Sequence, residues 1–378
     1  MFVTIFIVSI VVVLMFHEFG HFATAKLFGM KCEKFFLGFG PTLWSVQRGE
    51  TEYGVKAIPA GGFVKIVGMS AYEPVDPADA GRTFHERAAW KRAIVLVAGS
   101  ATHFIVAVVL LFSALAFVGE PRATTTIDRV TGGSPAAVAG LRPGDEIVAV
   151  DGQRVEQFEE AQRIIGARAG KTIPIEIARD GQRQQLSARI SLRRPDGEPG
   201  GFLGVSPAAT NQPLPLGEAF LSTIAGEQSV FNLTWATVQG LGDALSPEGL
   251  ARWFASIGGP GPRDPNGPVS LVGVGQVVNA LGSSGNVFLV FALLAQLNIV
   301  LGTLNLLPLP PLDGGHLAIL GVEEAVNSVR RLRGKPVPWR LDPAVLTPLA
   351  LAVILFFSVI VVTALYADIT NPVSELLQ

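Results

Sequence analysis

Residues 17 to 21 read His17-Glu18-Phe19-Gly20-His21. On a helix, positions four apart differ by about 40° around the axis, so the two imidazoles share a face. Such a pair can hold one Zn²⁺ at about 2.0–2.1 Å per nitrogen, with Glu18 one step round, near the metal but not bound to it. A carboxylate in that place can take a proton from a metal-activated water, so the chemistry would be hydrolysis. The competing reading is a polar cap of a helix end in the headgroup region. Context favours chemistry, because the motif follows the apolar run FVTIFIVSIVVVLM. Ionisable groups inside such a helix are rare and usually functional.

A catalytic zinc usually takes a third protein ligand and leaves one position to water. The candidate stretch is NLLPLPPLDGGH, Asn305 to His316. Pro308, Pro310 and Pro311 break the helix before Asp313, which follows the break directly and ranks above His316, the alternative ligand. Broken backbone at membrane depth is tolerated only when buried in protein or facing a water cavity, and a hydrolase needs such a cavity. An ordinary proline-rich helix end with an Asp-Gly turn is the plain alternative.

The elements that must position these residues are hydrophobic. Of 378 residues, 49 % are apolar and only 16 % charged, with a mean hydropathy of +0.43. Four runs are long and apolar enough to span a bilayer: residues 1–27, 93–118, 287–307 and 345–366. The first is read as a span rather than a signal peptide, since no basic segment precedes it and no small-residue cleavage site follows. Basic residues crowd the loops after the first span (Lys26 to Arg92) and after the third (Arg330 to Arg340). Positive charge marks the cytoplasmic side. The zinc motif therefore lies near the cytoplasmic face, and both termini and the 119–285 segment lie outside. A net charge of −2 offers nothing for nucleic acid. The single cysteine, Cys32, excludes an internal disulfide and reads as a buried residue rather than a reactive thiol.

Residues 32–68 alternate like strands, with Gly38-Phe39-Gly40 and Gly61-Gly62 as glycine turns. This hairpin follows His21 directly. A substrate helix must be extended before it is cut, and its freed amides need partners in lipid; an open strand edge supplies them. A plain cytoplasmic hairpin is the alternative. Within 122–208, short strands alternate with two helical patches. Ser134 caps the first patch and Gly140 ends it. Phe158, Ala161, Ile164 and Ile165 line one face of the second, and a hairpin turns at Asp180-Gly181. Residues 214–245 read as amphipathic helices on the membrane surface, and 256–270 as a Pro/Gly-rich loop.

The stretch GSPAAVAGLRPGDEIVAVDGQRV resembles a PDZ domain of the bacterial, circularly permuted type. That resemblance implies that Phe202, Leu203, Gly204 and Val205, in GFLGV, form the loop whose amides bind a peptide carboxylate. An empty groove acting as a steric module is the other reading. Taken together, HEFGH (the HExxH signature of zinc peptidases) on the first span, a PDZ domain after the second, and LNLLPLPPLDGG ending the third resemble the site-2 proteases. These are zinc intramembrane proteases of regulated intramembrane proteolysis. The layout is similar to the regulator of sigma-E protease, and the single PDZ domain is closest to actinobacterial members. The resemblance implies a polytopic α-helical membrane protein of four spans, with an inserted extracytoplasmic α+β PDZ domain and a membrane-associated β-hairpin region at 32–68. It implies His17 and His21 on the first span and Asp313 in a loop at 308–316 as zinc ligands, Glu18 as general base, and Asn305 as a substrate-positioning residue. It implies that Gly38, Phe39, Gly40, Gly61 and Gly62 dock the substrate as an added strand. Substrates would be single-span regulators in the lipid bilayer, such as anti-sigma factors, already trimmed outside by a site-1 protease. One departure stands out: the family's Gly-Pro-x-x-Asn on the second span is here AGSATHF, with Ser100 for proline and His103 for asparagine. His103 is a core histidine, a hydrogen-bonding partner of the site, or an extra ligand. The rival functions are a catalytically inactive PDZ-bearing scaffold and, more weakly, a proton-coupled transporter.

Overall fold

The computed structural model describes residues 2–69, 75–193, 197–258, 267–336, 338–341 and 343–373. Within the expected Pro/Gly-rich loop, 259–266 lie outside the described residues. The chain divides into two compact units, Met1–Ala114 with Pro215–Gln378, and Leu115–Leu214.

Helix α1 (Phe2–Leu27) leads into strands β1 (Cys32–Arg48) and β2 (Thr51–Ile66), and then into α2 (Ala89–Ser113). The two helices close on small residues: a Cβ at Gly20 would meet the Ala98 carbonyl at 2.5 Å. The hairpin turns at Gly49-Glu50, not at the glycine pairs. Gly38, Gly40 and Gly61 instead sit inside the strands at positive φ, where the register shifts. Bulges there let Lys34–Leu37 pair with Glu52–Val55 and also with Gly62–Lys65. Its base is buried at Cys32 and Phe36, whereas Leu43 and Trp44 near the turn are 70 % and 59 % exposed. Burial pushes the Cys32 thiol up to about 11, which makes it a packing residue rather than a nucleophile.

The second unit holds β3 (Glu120–Val130), α3 (Pro135–Ala139), β4 (Glu146–Val150), β5 (Gln153–Arg154), α4 (Phe158–Gly166), β6 (Thr172–Arg179), β7 (Gln182–Arg189), β8 (Ser191–Arg193), β9 (Pro199–Phe202) and β10 (Val205–Gln212). The main sheet runs β10-β3-β4-β6-β7, with β5 paired to β4. Alternation along β6 sends Ile173, Ile175 and Ile177 inward, onto Ile147, Ala161 and Ile165. The Ser134 hydroxyl accepts the Ala137 N–H, and Gly140 closes α3 in the left-handed region. The unit extends beyond the expected 122–208, because β3 and β10 pair out to Glu120 and Gln212.

The chain then forms α5 (Leu216–Ala225), α6 (Val230–Ala244), α7 (Pro247–Gly258), α8 (Leu271–Ser283), α9 (Val287–Asn305), α10 (Asp313–Leu332) and α11 (Thr347–Thr370). Among the described residues, four helices are long and apolar enough to cross a membrane: α1, α2 with its π-helical extension to Val118, α9 and α11. Two expectations need correction. The 308–316 loop ends at Leu312, and Asp313 opens α10, where a carboxylate complements the positive helix end. The basic segment at 330–331 is therefore helical, the last turn of α10. Asp368 of α11 accepts the Ser270 N–H at 2.7 Å and so helps anchor the start of α8.

Candidate metal centre

Three side chains converge in the helical unit. His17 Nε2 and His21 Nε2 are 3.2 Å apart, and Asp313 Oδ2 lies 3.3 Å from each. Among the described residues, these three form the group of His, Cys, Asp and Glu able to hold a metal ion. A tetrahedral zinc with bonds of about 2.0–2.1 Å has ligand-to-ligand edges of about 3.3–3.4 Å. The observed triangle fits that centre. Asp313 Oδ2 is buried and makes no hydrogen bond, so it faces a point shared with the rings rather than either ring.

The surroundings explain how each donor is held. His21 Nδ1 donates to the Val95 carbonyl of α2 at 2.7 Å. That fixes the tautomer and leaves Nε2 free to ligate. The space for the rings comes from Gly99 of α2, where a Cβ would lie 2.2 Å from His21 Nε2 and 2.7 Å from His17 Cε1. Asp313 is fixed by the two glycines behind it. A Cβ at Gly314 would meet the Leu306 carbonyl at 2.2 Å, and one at Gly315 the Pro310 nitrogen at 2.5 Å. The proline loop thus folds back directly onto the start of α10.

Glu18 points from α1 toward the hairpin, and its Oε2 accepts the Val64 N–H of β2 at 3.1 Å. Gly62 permits this approach, since a Cβ there would meet Met15 Sδ at 2.9 Å and Glu18 Cγ at 3.1 Å. Of the other hairpin candidates, Phe39 is 46 % exposed and stacks on Phe63 at 6.1 Å. Gly61 lies against the Phe39 ring. Asn305 is half-buried in the last turn of α9. His316 is outside the converging group. It lines, with Pro310, Pro311, Arg92 and Val64, a cavity of about 1120 Å³ beside the centre. His103 is brought close: its ring centroid is 5.1 Å from that of His17. In the second unit, Phe202 ends β9, Leu203 and Gly204 turn the corner, and Val205 begins β10. The Leu203 and Gly204 carbonyls accept from Ala136 and Thr131.

Four contributors escaped sequence reasoning: Gly99, Gly314, Gly315 and the Val64 amide. Gly99 carried a usable signal, since AGSATHF keeps the glycine of the family's Gly-Pro-x-x-Asn motif at that position. A backbone amide carries none.

The family model described as Peptidase family M50 matches residues 5–361. The chain belongs to peptidase family M50. It is 35 % identical over 412 residues to the zinc metalloprotease Rip1 of Mycobacterium bovis, covering 99 % of both chains. It is 34 % identical to the Rip1 of Mycolicibacterium smegmatis over 98 % of both. A putative zinc metalloprotease of Mesorhizobium japonicum is 34 % identical, over 85 % of this chain and 89 % of that one. Among solved structures, the PDZ domain of the SdrC-like protein from Listeria innocua aligns with 22 % of this chain and 92 % of its own, at 24 % identity and a TM-score of 0.20. The corresponding domain from Listeria monocytogenes aligns at 20 % identity and a TM-score of 0.19. This M50 peptidase is a zinc metalloendopeptidase of the site-2 protease type, and zinc is its metal.

Proposed function

We propose that this M50 peptidase hydrolyses peptide bonds within the transmembrane segments of single-span regulatory proteins, anti-sigma factors being the class its family resemblance points to. The observation that carries the reading is the 3.2–3.3 Å triangle of His17, His21 and Asp313 on membrane-length and membrane-adjoining helices. His17 and His21 through Nε2, and Asp313 through Oδ2, would hold the zinc. Zinc supplies Lewis acidity, which lets water give up a proton near neutral pH and polarises the scissile carbonyl.

The chain's own groups do the rest. Glu18 takes the proton of the attacking water and passes it to the leaving amine. The Val64 N–H keeps its carboxylate turned to one side of the centre. The β2 edge offers main-chain partners to an extended substrate, with Gly38, Phe39, Gly40, Gly61 and Gly62 shaping that edge and Asn305 steadying the strand. Basic residues after the first and third spans support a cytoplasmic zinc site with both termini and the PDZ-like unit outside. That unit limits access to pre-trimmed substrates, and its 202–205 corner is the place for a peptide carboxylate.

The test pairs zinc content with cleavage of a membrane-anchored substrate in wild type and Glu18→Gln. About one zinc in both proteins is expected, with cleavage in the variant down by about 10²–10⁴-fold. Unchanged cleavage would remove Glu18 from the mechanism, and a zinc-free, inert wild type would favour an inactive scaffold. Asp313→Ala should lower zinc content; a loss with His316→Ala instead would reassign the third ligand.

A further inference from the structure

The two ligand histidines are treated differently by their surroundings. His21 Nδ1 has the Val95 carbonyl. His17 Nδ1 is buried and has no partner. An imidazole that binds metal through Nε2 carries its proton on Nδ1, and that N–H ordinarily goes to an acceptor. His17 therefore presents an unmet donor.

The matching acceptor sits on α2. His103 is 1 % exposed, and its Nδ1 lies 3.2 Å from Asn298 Oδ1. Asn298 Nδ2 donates to the Leu294 carbonyl at 2.8 Å. Flipping that amide would set oxygen against oxygen, so the oxygen faces His103. An amide oxygen only accepts. The His103 proton is thus on Nδ1, and Nε2 offers a lone pair. That Nε2 is also buried and unpartnered. Gly302 lets α9 close on this ring, since a Cβ there would stand 3.1 Å from His103 Cβ. Two imidazoles joined in line by an N–H···N bond of about 2.9 Å have centroids roughly 5.2 Å apart. The observed separation is 5.1 Å with the ring planes 43° apart, so the two rings stand at the distance such a bond requires.

We infer that His103 is a positioning residue of the metal centre: its Nε2 accepts the Nδ1–H of His17 in a chain running Asn298, His103, His17. The chain orients the His17 ring and makes its Nε2 a stronger donor to the metal. The inference rests on His17 being a zinc ligand.

Chelator competition on the purified full-length protein measures the effect. His103→Phe keeps a ring and removes the acceptor; zinc affinity should fall about 10- to 100-fold. His103→Gln, which restores an acceptor oxygen, should recover part of that loss, and a space-filling role would not separate Gln from Phe in this way. The visible spectrum of the cobalt-loaded protein should shift in His103→Phe, while zinc-edge absorption still counts two imidazoles in both proteins. If His103→Phe does not fold, Asn298→Leu decides, and it must also weaken zinc. Wild-type affinity in the folded variant overturns the inference. So does a count of three imidazoles falling to two, which would make His103 a direct ligand. Zinc binding unaffected by His17→Ala would strike the ligand assignment beneath it, an outcome distinct from either.

Discussion

The β-rich unit and the candidate metal centre of the helical unit treat buried polar groups in opposite ways. In the β-rich unit, the Asp145 side chain is 1 % exposed. It takes Arg179 through both oxygens, at 2.6 and 2.8 Å, and the Arg142 N–H at 2.8 Å. In the helical unit, His17 Nδ1, Ser100 Oγ, His103 Nε2, Thr303 Oγ1 and Asp313 Oδ2 are buried with no hydrogen-bond partner. Left without a partner, each such group costs about 1–3 kcal/mol. The first arrangement serves the fold: its polar groups hold turns to strands over a core of isoleucines. The second costs stability, and such a cost is tolerated where the groups have chemistry to do. Glycine differs too. Gly140 shapes a turn, whereas Gly99 exists to leave room for two imidazoles.

The largest break in this comparison should come from Gly99→Val. The added carbons meet His21 and His17 rather than a yielding side chain. Overpacking of this kind costs about 1–3 kcal/mol or more, and here it falls on the proposed ligands. Zinc affinity should drop at least roughly tenfold, with cleavage falling alongside it and hydrogen exchange in β4 and β6 unchanged. Wild-type zinc content in this variant would mean that the rings do not occupy the space Gly99 leaves. The converse variant is Asp145→Ala. It leaves Arg179 with only the Gly140 carbonyl, strips the partner of the Arg142 N–H, and should destabilise the β-rich unit by about 2 kcal/mol. Faster amide exchange at Ile127 and Ile147, with zinc content untouched, is the expected result. Slow exchange there would show that the isoleucine core alone holds the sheet.

Most of the helical framework was legible because its signals are local. Apolar runs of membrane length stand out from composition, and the His17–His21 spacing implies a shared helical face whatever surrounds it. The turn at Asp180-Gly181 and the Ser134 cap are likewise written in adjacent residues. The hairpin was read less well. Glycine pairs look like turns in sequence, but Gly38 and Gly61 bend strands whose partners lie elsewhere, and only the paired register reveals it. In the sequence, Asp313 stands out as the residue after a helix break. That it opens a new helix depends on Gly314 and Gly315 packing under Leu306 and Pro310, a contact between segments. The Val64 amide that holds Glu18 and the Asn298 amide that sets His103 are long-range placements with no mark in the chain.

Acidity should separate the two regions by smaller effects. Burial first, then the nearby Arg340 and Arg92, bring His85 of the helical unit down to about 4. An unfolded histidine takes up its proton near pH 6.5, so the unfolded chain binds more protons between the two values. The contribution of His85 to the stability of the helical unit therefore falls as pH drops from about 6.5 to about 4 and levels off below. Asp145 behaves otherwise. Burial pushes its carboxyl up, but the Arg179 hydrogen bonds and the Arg142 N–H outweigh burial and hold it below the usual carboxylate range. Its contribution is complete above about pH 3.9 and is lost only as pH falls through the lower folded value. Hydrogen exchange on zinc-stripped protein from pH 7 to pH 3 reads both units at once. The segment around Phe84–Glu86 should loosen between about pH 6.5 and 4 while β4 stays protected, and His85→Asn should remove the first change and leave the second. Loosening of β4 already at pH 5, or a His85→Asn profile identical to wild type, would show that these two groups do not set the acid response of their units.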